Sequence, residues 1–255
     1  MYFAYINKFT EQVVIKSALL TERPMAMLIG GMLAGAYVGI GIILIMTIGN
    51  EVPATWQKLV MGSTFGIALT LVIFAGSELF TGYAMYGAWA LLQKKLSVGR
   101  IVYLLTWVWF ANLAGAVLLV AIYKMGHGAL LDQTGTVLHQ IAYKKMNSSA
   151  PQLFANGVLC NWLVCLAIWM SAKMSGDAAK CIVIFWCLLA FIASGFEHCV
   201  ANMTVFALVL MGPDVAGITY SGALFNLGWV TLGNIVGGAV LVAYSYWVMS
   251  RSEHG

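Results

Sequence analysis

Only three ionisable acids or bases of this 255-residue chain lie inside long apolar segments: Glu78, Glu197 and His198. The other acids and histidines occupy polar connections or lie near the ends of the chain. A charged side chain in a hydrocarbon environment costs about 3 kcal/mol or more unless it is paired, so such residues are candidates for function. The chemistry they offer is ion pairing and proton transfer.

His198 is the residue among these that titrates near neutral pH. It follows Glu197 directly, and that carboxylate could orient the ring or raise its proton affinity. The functional hypothesis is a proton donor, or a transient cation, that faces an anion. The alternative is a histidine that is satisfied by hydrogen bonds within the protein core.

The two glutamates have a structural alternative that we favour. Each lies in a glycine-containing polar stretch, where a helix break would leave backbone N–H groups without partners. A carboxylate is a strong acceptor for such groups. Glu78 and Glu197 are therefore expected to support helix breaks at Gly76 and Gly195.

Further polar residues interrupt the apolar segments: Asn161, Asn202, Asn234 and Thr81. The asparagines either bond neighbouring helices or line a polar passage, and the sequence leaves both roles open. The Thr81 hydroxyl either bonds its own backbone or donates to an anion.

The composition indicates whether the protein folds in water or in a membrane. Hydrophobic residues make up 62% of the chain and charged residues 9%, with a mean hydropathy of +0.89. These values exclude a soluble enzyme, a nucleic-acid-binding module and a disordered scaffold. Five cysteines without a CxxC pair indicate small apolar residues, so we expect no disulfide, metal or cofactor.

The sequence predicts an all-α membrane protein with six transmembrane helices. The predicted apolar segments are residues 25–49, 59–92, 101–123, 152–172, 181–211 and 220–249. Residues 1–24 carry apolar side chains among charges, which is typical of an amphipathic helix at the membrane interface. Residues 25–249 then form the transmembrane domain, and residues 250–255 form a tail.

Segments two and five are each longer than thirty residues, which exceeds one plain membrane span. We interpret both as helices broken at the glycine-glutamate stretches. Glu78 and Glu197 are 119 residues apart, and two Asn-x-x-Gly motifs at Asn112 and Asn234 are 122 apart. These offsets predict an inverted 3+3 repeat with halves at about 25–124 and 152–249, and its paired breaks point to a substrate site at the midplane.

The basic residues predict the orientation. Nine Lys and Arg lie on the side that holds both termini, and four lie on the other side. The positive-inside rule then places both termini in the cytoplasm.

Three stretches resemble the formate/nitrite transporter family in the family's order. They are residues 76–82 (GSELFTG), 157–167 (GVLCNWLVCLA) and 193–202 (ASGFEHCVAN). The flanking residues look more like the nitrite channels of the family than its formate channels. The resemblance covers nearly the whole chain and implies an aquaporin-like protomer in a homopentamer, with one pore per protomer.

The resemblance also implies residue roles. By position, Phe65, Leu69, Leu79 and Phe191 correspond to apolar constrictions around a central chamber. Thr81 and His198 correspond to the polar pair of that chamber, supported by Glu197, Asn161 and Asn202. One departure is Asn156, which stands where relatives are expected to carry a lysine.

The resulting hypothesis is a channel or transporter for a small monovalent anion, most consistent with nitrite, in a bacterial inner membrane. Protons are the expected second substrate, because a neutral acid crosses apolar rings more easily than a bare anion. Formate or hydrosulfide is the alternative substrate. An intramembrane serine hydrolase that uses Ser77 and His198 is a remote alternative of another class.

Overall fold

The computed structural model describes residues 2–251, and that part of the chain is helical without any strand. Six of its helical segments are long and apolar enough to cross a membrane. This confirms the predicted class of an all-α membrane protein with six candidate spans. The predicted tail at residues 250–255 falls largely on residues 252–255, which lie outside the described residues.

The first half of the chain contains six helices before a short 3₁₀ turn at Ala129–Leu131. They are α1 (Tyr2–Glu22), α2 (Pro24–Glu51), α3 (Ala54–Thr64), α4 (Gly66–Phe74), α5 (Phe80–Leu92) and α6 (Val98–Met125). Helices α3 and α4 together form the second candidate span, and α5 continues the chain after an interruption at residues 75–79.

The second half begins with a short helix outside the candidate spans. Its elements are α7 (Val137–Met146), α8 (Ala150–Lys173), α9 (Asp177–Ser194), α10 (Cys199–Met211), α11 (Tyr220–Val236), a π-helix (Gly237–Tyr244) and α12 (Ser245–Arg251). Helix α10 follows α9 after an interruption at residues 195–198. The last three elements form one continuous candidate span.

Glycines allow two helix pairs to pack backbone against backbone. In the first pair, a side chain added at Gly35 of α2 would collide with the carbonyl of Asn112 on α6. In the second pair, one added at Gly233 of α11 would collide with the carbonyl of Phe154 on α8. Close contact of this kind needs small residues, because helices in lipid associate mainly through packing and hydrogen bonds.

Helix α1 packs against α5 and α2. Phe9 and Val13 are buried, and the Phe9 ring stacks on Tyr86 with centroids 4.8 Å apart. The Arg100 guanidinium bonds the Ser17 hydroxyl at 2.6 Å and the Thr21 hydroxyl at 2.5 Å. These contacts attach α1 to α5 and to the start of α6, while its predicted position at the membrane interface stays a prediction.

Candidate functional site

The first interruption follows helix α4. Gly76 adopts a positive φ of 76°, a conformation that glycine tolerates without steric cost. The backbone N–H of Glu78 donates to the carbonyl of Gly30 on α2 at 3.0 Å. Leu79 is extended, and α5 begins at the next residue.

The second interruption has the same order of conformations. Gly195 caps α9 with a φ of 73°, and the N–H of Glu197 donates to the carbonyl of Asn156 on α8 at 3.2 Å. His198 is extended, as Leu79 is in the first interruption. Asn156 therefore contributes a backbone carbonyl to this site.

His198 is buried, and both ring nitrogens have a partner. Its Nδ1 atom accepts a hydrogen bond from the Ala201 N–H at 3.1 Å, which caps helix α10. Its Nε2 atom lies 3.2 Å from the Thr81 hydroxyl. Because Nδ1 accepts, the neutral ring carries its hydrogen on Nε2 and directs it towards Thr81.

The four residues that the resemblance assigns to constrictions surround one small space together with His198. This space has a volume of about 10 Å³, which is close to the room that one water needs. Its full lining is Val38, Phe65, Ala68, Leu69, Leu79, Val164, Leu188, Phe191 and His198. The Phe65 and Phe191 rings meet edge to face with centroids 5.5 Å apart, and the Phe191 and His198 rings lie 5.9 Å apart.

Each glutamate of an interruption is paired with a lysine. Glu197 accepts from Lys145 of α7 at 2.9 Å and from the Asn202 amide at 2.6 Å. Glu78 pairs with Lys16 of α1 and accepts from the Tyr83 hydroxyl at 2.6 Å. The pairing offsets the cost of holding a carboxylate away from water.

Asn161 joins the two halves from behind the site. Its Nδ2 group donates to the carbonyl of Thr81 at 3.1 Å and to that of Asn234 at 2.6 Å. The side chain is fully buried, so it holds the start of α5 against α11. The sequence left two roles open for Asn161, and these contacts show the first of them, a hydrogen bond between helices.

A larger cavity lies on the other side of the first interruption, beneath α1. Its volume is about 620 Å³, and it includes the side chains of Glu78 and Tyr83. Three lysines also line it, namely Lys8, Lys16 and Lys180. Of these lysines, Lys16 pairs with Glu78 in the same cavity and Lys180 pairs with Asp177, so carboxylates offset much of the positive charge.

Sequence reasoning missed several of these partners. Lys16 and Lys145 both lie in polar segments before an apolar run, where charges are normally solvated. A usable signal existed for Tyr83, which follows Glu78 by five residues as Asn202 follows Glu197. This chain has Asn156 where relatives are expected to carry a lysine, and the positive charge near the second interruption comes from Lys145.

The side chains around His198 fit the passage of a solute better than catalysis. Ser77 does not pair with His198, since its hydroxyl contacts the Val72 carbonyl at 3.5 Å and the histidine faces Thr81. Within residues 2–251, no group of three or more His, Cys, Asp or Glu could hold a metal ion.

Comparisons with known proteins agree with this geometry. The nitrite transporter NirC of Escherichia coli (strain K12) is 47% identical over 247 residues, which cover 97% of this chain and 92% of that protein. A solved "FNT family ion channel" aligns with a TM-score of 0.94 at 46% identity, over 96% of this chain and 98% of that one. A "pentameric formate channel with formate bound" aligns with a TM-score of 0.74 at 28% identity, over 94% and 99%.

The model of the formate/nitrite transporter family matches residues 4–248. These relatives are transporters and channels, which excludes the serine-hydrolase alternative. The six candidate spans and these relatives together make the chain a multi-pass membrane protein. It belongs to the formate/nitrite transporter family.

Proposed function

We propose that this chain forms a channel for a small monovalent anion and that nitrite is its substrate. The observation that carries the proposal is the small enclosed space between four large apolar side chains and His198. The 47% identity to a nitrite transporter favours nitrite over the other anions of the family. Formate is the second candidate, because a related channel was solved with formate bound.

The apolar rings act as the barrier. A bare anion between Phe65, Leu69 and Phe191 would lose hydration that these side chains cannot replace. The space of about 10 Å³ is also too small for an anion larger than water, so side chains must move apart during passage. The barrier therefore selects by size and by charge.

His198 supplies the polar contact inside this barrier. Its Nε2–H, next to the Thr81 hydroxyl, donates a hydrogen bond to the passing anion. When a second proton reaches Nδ1, the ring cannot keep the bond from Ala201. The resulting imidazolium is a stronger acid than the neutral ring, so its Nε2 proton passes to the anion, and the neutral acid then crosses the rest of the apolar barrier. The ring is left with its hydrogen on Nδ1, and it returns to the starting tautomer by taking up a proton at Nε2 and releasing the one at Nδ1, which restores the bond from Ala201.

The lysine pairs hold this arrangement and neutralise the glutamates. Lys145 and Glu197 lie next to His198, while Lys16 and Glu78 border the large cavity. Both pairs keep the glutamates from repelling an anion. The assembly that we propose is a homopentamer, as in the related formate channel.

The membrane and the orientation belong to the same proposal. The protein lies in a bacterial inner membrane with both termini in the cytoplasm, because nine of its thirteen Lys and Arg lie on the side of the termini. The cavity beneath α1 is then the cytoplasmic entrance. Residues 1–24 form the interfacial helix, residues 25–249 the channel domain and residues 250–255 the tail.

The experiment that tests the proposed function is uptake into proteoliposomes. The purified protein is reconstituted, and the entry of nitrite, formate and hydrosulfide is measured in one preparation. We expect nitrite to enter fastest, with empty liposomes as the control. Faster entry of formate or hydrosulfide than of nitrite would overturn the assignment of nitrite.

A further inference from the structure

Two buried asparagines each bond the backbone on both sides of the last residue of a helix interruption. Asn112 lies on α6 and Asn234 lies on α11, and both are fully buried. Neither side chain lines the enclosed space near His198. Their contacts therefore act on the site through the backbone.

Asn112 holds the residues before and after Leu79. Its Oδ1 atom accepts a hydrogen bond from the N–H of Phe80 at 2.9 Å. Its Nδ2 group donates to the carbonyls of Glu78 and Gly31, each at 2.8 Å. One amide thus fixes the backbone on either side of Leu79 and ties it to helix α2.

Asn234 makes the same three bonds around His198. Its Oδ1 atom accepts from the N–H of Cys199 at 2.9 Å. Its Nδ2 group donates to the carbonyl of Glu197 at 2.9 Å and to that of Gly157 on α8 at 2.7 Å. The residue that occupies the central position is leucine in one interruption and histidine in the other.

We propose that Asn112 and Asn234 are positioning residues with different tasks, an inference that rests on the proposed channel function. Asn112 fixes Leu79 in the apolar barrier and so sets the size limit for the anion. Asn234 fixes the His198 ring against Thr81 and so sets the efficiency of proton coupling. Neither residue contacts the substrate.

The amide is the side chain that these positions require. Each interruption leaves one N–H and one carbonyl close to a further carbonyl on the neighbouring helix, and the bilayer core offers no water to satisfy them. An asparagine offers two donors and an acceptor within one rigid group. Leucine of similar size offers none, and serine offers a hydroxyl that is too short to reach all three groups.

The test compares Asn112→Leu and Asn234→Leu with wild type in proteoliposomes. Thr204→Val is the matched control, because the Thr204 hydroxyl is buried and has no hydrogen-bond partner among the described residues. Two quantities are measured for each protein: the ratio of nitrite to acetate entry, and the stimulation of nitrite entry by an inward proton gradient. Pentamer assembly is checked by size-exclusion chromatography.

We expect a separation of the two readouts. Asn112→Leu lowers the nitrite-to-acetate ratio about tenfold and keeps the stimulation by the proton gradient. Asn234→Leu loses most of that stimulation, while the charged neighbours of His198, Glu197 and Lys145, remain in place. Thr204→Val behaves as wild type in both respects.

Other outcomes reject the inference. Equal changes of both readouts in the two asparagine variants would mean that the residues only stabilise the fold. Unchanged readouts in assembled variants would mean that they do not position the site. If a leucine variant does not assemble, Asn112→Ser or Asn234→Ser replaces it with the same expectations. Wild-type protein without nitrite entry would instead reject the proposed function.

Discussion

The Nε2 atom of His198 lies 3.2 Å from the hydroxyl of Thr81, although 117 residues separate them in the chain. One residue follows the first helix interruption and the other lies in the second. The contact therefore joins the two halves of the protein at its buried centre. In the proposed mechanism, proton coupling and polar recognition of the anion both depend on this contact.

The apolar barrier gives a prediction for Leu69. Leu69→Ala removes most of a side chain that borders the enclosed space. We expect acetate entry to rise about tenfold, which corresponds to about 1.4 kcal/mol off the barrier. Ile67→Ala, on the exposed face of the same helix, is the control and should leave acetate entry unchanged. Equal effects of the two substitutions would remove Leu69 from the barrier.

The buried pair of Lys145 and Glu197 gives a prediction for stability. Glu197→Gln keeps the shape of the side chain but leaves the Lys145 ammonium without its counter-charge. We expect the variant to assemble but to lose about 3 kcal/mol of stability, measured by thermal unfolding in detergent.

Two controls make this result specific to the pair. The double variant Glu197→Gln, Lys145→Met should recover much of the loss, since no unpaired charge remains buried. Lys180→Met breaks the exposed pair with Asp177 and should cost less than about 1 kcal/mol. If the double variant is no more stable than Glu197→Gln, charge pairing does not explain the role of Glu197.

His139 gives a prediction for pH, because it is buried in α7 outside the candidate spans and its Nε2 atom has no partner among the described residues. Burial lowers the pKa of His139 from its ordinary value of 6.5. The unfolded chain therefore binds more protons than the folded protein below pH 6.5, and stability falls as the pH falls through this value.

The measurement is the thermal unfolding midpoint at pH 7 and pH 5. We expect a smaller fall on acidification in His139→Gln than in wild type. His127→Asn changes an exposed histidine and should follow wild type. An identical fall in all three proteins would show that His139 does not contribute to acid sensitivity.

Orientation is tested by a fusion at the C-terminus. Nine of the thirteen basic residues lie on the side of the termini, so a reporter that is active only in the periplasm should stay silent when fused to Gly255. The same reporter fused within the connection after α6 should be active. Strong activity of an intact C-terminal fusion would reverse the orientation.

The ionisable residues of the site could be predicted from the sequence better than the side chains that form ion pairs and hydrogen bonds with them. Hydropathy and the two glycine-glutamate stretches pointed to Glu78, Glu197 and His198, because ionisable residues are conspicuous in apolar segments. Hydropathy also predicted the all-helical class with six candidate spans, and the structure confirms it. The inverted repeat stays a prediction, which the matching bonds of Asn112 and Asn234 support.

The partners depend on tertiary packing that local patterns do not encode. Lys145 follows another lysine in a polar connection, where charges are normally solvated, yet it reaches Glu197. Asn226 was overlooked in an apolar helix, although it donates to the Lys145 carbonyl at 2.9 Å. No periodicity in the sequence relates these residues, since the contact arises only when α7 packs against α10 and α11.

In the proposed mechanism, His198 transfers a proton to the passing anion. His198→Asn keeps a polar side chain that can still cap helix α10, but it cannot carry a second proton. The most direct measurement is nitrite entry into proteoliposomes with and without an inward proton gradient, for wild type and His198→Asn. We expect the gradient to accelerate entry through the wild-type protein and not through the variant. Equal stimulation of both proteins would contradict this mechanism.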